Sequence, residues 1–358
     1  MADAEPKKGC LWKITLLLLS IPAFILITEI IFTIIPVDTY FENRFFLVNR
    51  SLDYPEVFKK DHDLFWRFRP SLDITSRFFE GKRYRINSYG LRGDGIPPKS
   101  DRIRLVFLGN SCTFGWGMAD NQTYVKQLEM MINADPSLPK VEVINAGIPG
   151  YSSFQGRRFF QSDIVPLKPD IVLAMFAWND QWAAAGNIPD DEQKLPRQSI
   201  IDIQNLLSRL KIYRMTKKLL LSAVEKPLSE ELNRQKPVYR VSFADFYDNL
   251  NAIVNYARVE RIKPILLTSP IPSLDKYYPA RSNSPMHDYH EYYNMQTRLA
   301  ARNNSADLID IAQEFNKYDN LYDNAPKDPI HFNAEGHRIA AEAIYQYLKA
   351  NSTLLNRK

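Results

Sequence analysis

The side chains able to run acyl chemistry fall in a few short stretches of this 358-residue chain. Ser111 follows the apolar run Leu105-Val106-Phe107-Leu108 and then Gly109-Asn110, within LVFLGNSCTFGWG. Asn145-Ala146-Gly147-Ile148-Pro149-Gly150-Tyr151 and Ala177-Trp178-Asn179-Asp180 close two further apolar runs, and Asp328-Pro329-Ile330-His331 precedes the last helical pattern. A serine hydroxyl is a poor nucleophile until a neighbouring base takes its proton, so Ser111 needs partners from elsewhere in the chain. Taken singly, each stretch also reads as scaffolding. Ser111 serves as a helix cap, the glycines as turn residues, Asn179 as another cap and His331 as a surface residue at a helix entry. Their joint occurrence, each at or just beyond the end of a strand-like run, carries the weight.

Elements that would position these residues alternate from Asp101 onward. Strand-like runs are IRLVFLG (103–109), VEVINA (141–146), DIVLAMF (170–176), PILLTS (264–269) and a weaker DLIDI (307–311). Between them lie helical patterns at 123–134, 242–258 and 334–350, and Ser242 followed by Asp245 resembles a capping box. Strands alternating with helices predict a parallel sheet covered on both faces. In such a sheet, ligands bind in the crevice beyond the carboxyl ends of the strands.

With these blocks in this order, the chain resembles the SGNH (GDSL-type) hydrolase superfamily over roughly residues 102–350. The resemblance implies a three-layer α/β/α sandwich around a parallel, flavodoxin-like sheet. It makes Ser111 the nucleophile of a serine esterase, with His331 as its base and Asp328 holding the imidazole. The oxyanion donors would be the backbone N–H groups of Ser111 and Gly150 and the side-chain amide of Asn179, with Gly147 as the alternative glycine. These residue types suit the chemistry, because the attacked carbonyl becomes an oxyanion that fixed N–H donors stabilise. Two positions depart from the family pattern: Asn110 replaces the usual aspartate, and Ala177 replaces the first glycine of the third block. By analogy the substrates are carboxylic esters, either acyl sugars or short acyl lipids. Rival readings are acyl transfer or deacetylation on a surface polysaccharide, and a non-catalytic binding or assembly protein retaining the fold.

Before the sheet, the sequence from Ile14 to Ile35 carries Glu29 as its only charge and is long enough to span a bilayer. It ends in Ile34-Ile35-Pro36 without an A-x-A cleavage pattern, which favours an uncleaved signal anchor. Lys7, Lys8 and Lys13 place its N-terminal end in the cytoplasm and the rest of the chain in the periplasm or outside the cell. The expected organisation is a cytoplasmic N-terminus (1–13), a transmembrane anchor (14–35) and a lead-in of short strands and loops (36–100). A hydrolase domain (101–350), interrupted by an insertion at 181–241, and a short tail (351–358) follow. Within the insertion, the amphipathic segment 200–224 carries Arg209, Lys211, Arg214, Lys217 and Lys218. It reads as a surface helix pair, as a cover for the crevice or as a membrane-surface element.

A hydrophobic content of 45% with 24% charged residues fits a globular protein, and a net charge of +5 without a dense basic stripe argues against nucleic acid. Aromatic content of 12% suits either a carbohydrate- or acyl-binding surface or a large core. Cys10 and Cys112 lie on opposite sides of the apolar run, so no disulfide is expected, and Cys112 reads as a small buried hydrophobe. His287-x-x-His290 lacks an evident third ligand and reads as a surface pair, while His337 reads as structural. Neither metal nor cofactor is expected.

Overall fold

A computed structural model describes residues 8–34, 53–232, 238–272, 285–325 and 327–355. The side chains of Cys10 and His287 lie outside the described residues, as do positions 35–52 at the end of the anchor and the start of the lead-in. The chain opens with helix α1 (Lys8–Ile34), whose Trp12–Ile34 portion is apolar enough to cross a membrane and is unburied by the rest of the molecule. Two antiparallel hairpins follow: β1 (Phe58–Asp61) with β2 (Phe65–Phe68), and β3 (Leu72–Thr75) with β4 (Arg83–Ile86).

Next come β5 (Ile103–Gly109), α2 (Ser111–Phe114), α3 (Tyr124–Ala134), β6 (Val141–Gly147), α4 (Ser153–Phe159) and β7 (Ile171–Met175). Residues 181–241, the stretch read above as an insertion, contribute α5 (Gln198–Leu207) and α6 (Lys211–Leu232). The chain then runs through α7 (Phe243–Val259), β8 (Lys263–Leu267), α8 (Pro285–Asn303), β9 (Asp307–Ile309), α9 (Ile311–Phe315) and α10 (Ala334–Ala350). All five strands of the main sheet are parallel, in the order β6-β5-β7-β8-β9. That is the flavodoxin arrangement, whose strand order reverses beside the first strand and opens a crevice there.

Alternation along the strands builds the layers, since successive side chains point to opposite faces. Leu105, Phe107, Ile171 and Leu173 pack on one face with α3 and α10, while Val106, Leu108, Val172 and Ala174 pack on the other with α4 and α7. Thr123, Ser242 and Asn333 cap α3, α7 and α10 by accepting backbone N–H groups of the first turn. The hairpins are themselves rich in aromatic residues. Phe58, Trp66, Phe68, Phe79 and Tyr84 are buried there and join Phe114 of α2 in one core.

The amphipathic segment expected at 200–224 is two helices, because the ladder breaks at Ser208–Leu210. The Ser208 hydroxyl bonds back to Asn205 O, and the buried Arg214 guanidinium donates to the carbonyls of Ser208 and Arg209. An arginine that satisfies the orphan carbonyls makes the break stable.

Candidate active site

At the carboxyl end of β5 the chain turns straight into α2. Asn110 holds the extended N-cap position, and its side-chain oxygen accepts the Cys112 N–H at 3.0 Å. The capping role considered for Ser111 therefore belongs to its neighbour. Ser111 becomes the first helical residue, with its hydroxyl 2.9 Å from Nε2 of His331. Nδ1 of His331 lies 2.8 Å from an Asp328 oxygen, and the other Asp328 oxygen accepts the N–H groups of Ile330 and His331, both at 3.1 Å. The tight Asp-Pro-Ile-His turn thus fixes carboxylate and imidazole together. Nδ1–H donates to the carboxylate, which leaves the Nε2 lone pair facing the serine hydroxyl. Burial alone would raise the Asp328 pKa. The His331 hydrogen bond and charge, with the two N–H groups, outweigh it and hold the carboxyl below its ordinary range. The Trp116 ring lies beside the imidazole, inclined by 26° with ring centres 5.7 Å apart.

Gly147 and Gly150 differ in what they leave available. A Cβ on Gly147 would sit 2.2 Å from the Phe114 nitrogen, so this glycine lets β6 pack against α2, and its N–H is taken by the Asn145 side chain at 3.0 Å. Gly150 adopts φ +85°, where L side chains are strained. Among the described residues, neither its N–H nor that of Ser111 donates a hydrogen bond. The Asn179 amide donates to Tyr151 O at 3.0 Å, which ties it to the Gly150 turn and leaves its second N–H over. Gly109 at the end of β5 pairs with Gly147 on one side and Met175 on the other. Ser111, Gly150 and Asn179 therefore leave neighbouring strand ends at one edge of the sheet.

Several supporting residues carried no local signal. Asp180 is fully buried, accepting the N–H of Ser153 at 2.7 Å and of Ala177 at 3.1 Å. Burial pushes its pKa up to about 6 against the pull of those hydrogen bonds and of the Arg240 charge. Arg240, at the end of the insertion, is 2% exposed and grips both oxygens of Asp190. The same guanidinium donates to Gly150 O at 2.8 Å, to Gln155 Oε1 at 2.7 Å and, at 3.5 Å, to Asn179 O. Arg92, from the lead-in, bonds the carbonyls of Phe114, Gly115 and Met118 just past the serine. Two buried arginines from outside the alternating strands and helices thus hold the loops of the site.

Other expectations divide. Cys112 is buried, as its apolar reading predicts, and burial raises its thiol pKa further. His337 is structural: buried in α10, its Nδ1 accepts the Tyr124 N–H at 3.1 Å. His290 is not the surface residue expected. It is completely buried, with Nε2 donating to Ser269 O at 2.8 Å and its ring against Trp178. Trp178, next to Asn179, needs a wall at that place, and the imidazole supplies it.

A parallel α/β/α sheet with a serine–histidine–aspartate chain at its carboxyl edge has the architecture of a serine ester hydrolase. The chain belongs to the GDSL-like lipase/acylhydrolase family, whose model matches residues 107–339, well over half of its length. No curated protein matches the sequence. Similar solved structures include a lipase/acylhydrolase from Enterococcus faecalis (19% identity, TM-score 0.46, covering 70% of this chain and 96% of that one). Others are an α/β hydrolase, LAE5, from the Lake Arreo metagenome (21%, 0.46, 71% and 97%) and an acetylxylan esterase from Geobacillus stearothermophilus (19%, 0.46, 74% and 98%).

Proposed function

We propose that this protein hydrolyses carboxylic esters outside the cytoplasm through an acyl-enzyme on Ser111, held at the membrane by α1. The observation that carries the reading is the hydrogen-bond chain from the Ser111 hydroxyl through His331 to Asp328. As Ser111 Oγ attacks the ester carbonyl, His331 Nε2 takes its proton and Asp328 stabilises the resulting imidazolium. The oxyanion is met by the N–H groups of Ser111 and Gly150 and by the Asn179 amide. Gly150 serves rather than Gly147, whose N–H is already committed to Asn145. Collapse of the intermediate breaks the ester C–O bond, and His331 returns the proton to the departing alcohol. Water then repeats the sequence on the acyl-serine and releases the acid. Substrates of this class are acyl sugars and short acyl lipids. Lysines at positions 7, 8 and 13 favour a cytoplasmic N-terminus and an exported catalytic domain.

Ser111→Ala and His331→Ala should each abolish most turnover of short p-nitrophenyl esters and leave folding intact. The double variant should be little worse than either, because the pair works as a unit. Asn179→Ala should lower kcat by roughly 10²–10³, the range for losing one oxyanion donor. Fluorophosphonate labelling of the wild type at Ser111, lost in both single variants, completes the test. Additive losses, or labelling that survives Ser111→Ala, would sink the mechanism.

A further inference from the structure

Glu29, the one charge in the apolar stretch of α1, is not left without a partner. Its carboxylate accepts the Ile212 N–H at 2.8 Å, one of the donors that the start of α6 cannot use internally. Negative charge is favourable at that end of a helix. Lys211 returns a second bond, its ammonium donating to Phe32 O at 3.1 Å. Glu29 lies five residues before Ile34, about 8 Å along the helix axis at 1.5 Å per residue. The insertion is therefore fastened to the end of α1 from which the catalytic domain departs, at the depth where a spanning helix leaves the hydrocarbon.

What the insertion exposes at this place is apolar. Ile200, Ile203 and Leu206 on α5 are 47%, 58% and 65% exposed, and Leu219 and Leu220 on α6 are 50% and 65% exposed. Outside α1, Ile188 is the only other exposed leucine or isoleucine among the described residues. Scattered apolar side chains are ordinary on a protein surface, but this concentration on two helices is not. Spacing of three residues puts the α5 set on one side of that helix. The opposite side is anchored to the domain, where the Asn205 side chain bonds both backbone groups of Lys60 and Ile201 is fully buried. α6 is held likewise through the ion pair of Lys218 with Asp53 at 3.0 Å. Arg209 is exposed between the two helices, and Lys211 and Lys217 are half-exposed. An apolar face fringed by cations, on helices lying at the interface, suits acyl chains below and anionic headgroups beside them.

We propose that α5 and α6 form a lipid-docking surface, with Ile200, Ile203, Leu206, Leu219 and Leu220 seated in the outer edge of the bilayer that α1 spans. The inference rests on the reading of α1 as a membrane span. It adds that the catalytic domain is laid against the membrane in one orientation and does not swing on a tether.

The test uses the full-length protein in vesicles of phosphatidylcholine and phosphatidylglycerol, in a Cys10→Ser background. Cys112 is left in place because it is buried and stays unlabelled. Nitroxide labels at Ile203→Cys, Leu206→Cys and Leu220→Cys are compared with labels at Leu19→Cys in α1 and at Val259→Cys, an exposed position at the end of α7. Relaxation by oxygen, which concentrates in lipid, is read against relaxation by a water-soluble nickel complex. Docking predicts that the oxygen-to-nickel ratio at 203, 206 and 220 rises several-fold above that at 259, toward the value at 19. Water-like ratios at 203, 206 and 220 with a lipid-like ratio at 19 would overturn the docking and leave the anchor standing. A water-like ratio at 19 would overturn both. Shielding from both reagents with dipolar broadening would assign the face to a second copy of the chain and overturn lipid docking.

Discussion

Ala177 occupies a position whose backbone suits glycine. Its φ is +120°, and its Cβ is completely buried in the turn that presents Asn179. An L residue held there costs about 1–3 kcal/mol, tolerated only where the surroundings fix it. Here Asp180 fixes it, bonding the Ala177 N–H through its carboxylate and the Ala177 carbonyl through its own N–H. Strain at the turn is balanced by a buried acid directly beside the candidate oxyanion donor. Ala177→Gly should release the strain and, after the entropic cost of glycine, stabilise the protein by about 1 kcal/mol. The urea midpoint should rise. A midpoint that falls would show that the Ala177 methyl group contributes more through packing than its backbone loses.

Between elements, the link from the insertion to the sheet runs through Arg240. Its fork spans Asp190, Gln155 and the carbonyl of Gly150, and lysine has no planar fork with which to copy that pattern. Arg240→Lys keeps the charge opposite Asp190, so the fold should survive. The Gly150 and Asn179 turns should loosen, and kcat should fall by roughly 10–100-fold with KM little changed, since misplacement by about 1 Å costs on that order. An unaltered kcat would make the clamp structural only. No local pattern announces such a contact, because Arg240 and Gly150 are 90 residues apart in the chain. What sequence does carry well is what repeats locally. The apolar runs that became β5 to β9 were legible from composition and flanking turns, and the motif blocks from their order. Adjacent residues with the same propensity were harder. Asn110 and Ser111 are both good caps, and only the backbone angles separate cap from first helical residue. His290 shows the converse: it is buried against Trp178 from across the fold, which its own sequence neighbours do not announce.

Across the whole molecule, acid should act on the fold through buried groups pulling in opposite directions. His337 lies between Tyr124 and Phe332. Burial, then the charges of Arg92 and His331, lower its pKa from 6.5 to about 3. The unfolded chain therefore binds a proton that the native state refuses, and stability falls as pH drops from about 6.5 toward 3. Asp180 works the other way. Its native pKa of about 6 exceeds the unfolded value, so its contribution is fully present at low pH and is lost as pH rises through that value. His337→Gln should flatten the acid-side decline in the urea midpoint below pH 6.5 and leave the opposing contribution of Asp180 exposed. An unchanged slope would remove His337 from the account. The contact between the Ser111 hydroxyl and the His331 imidazole joins residues 220 positions apart. A chain emerges from the ribosome N-terminus first, so the serine appears early and the imidazole near the end. Throughout synthesis the hydroxyl has no base to take its proton. On the proposed mechanism the protein is inert while it is being made, and it is armed only when folding brings His331 beside Ser111.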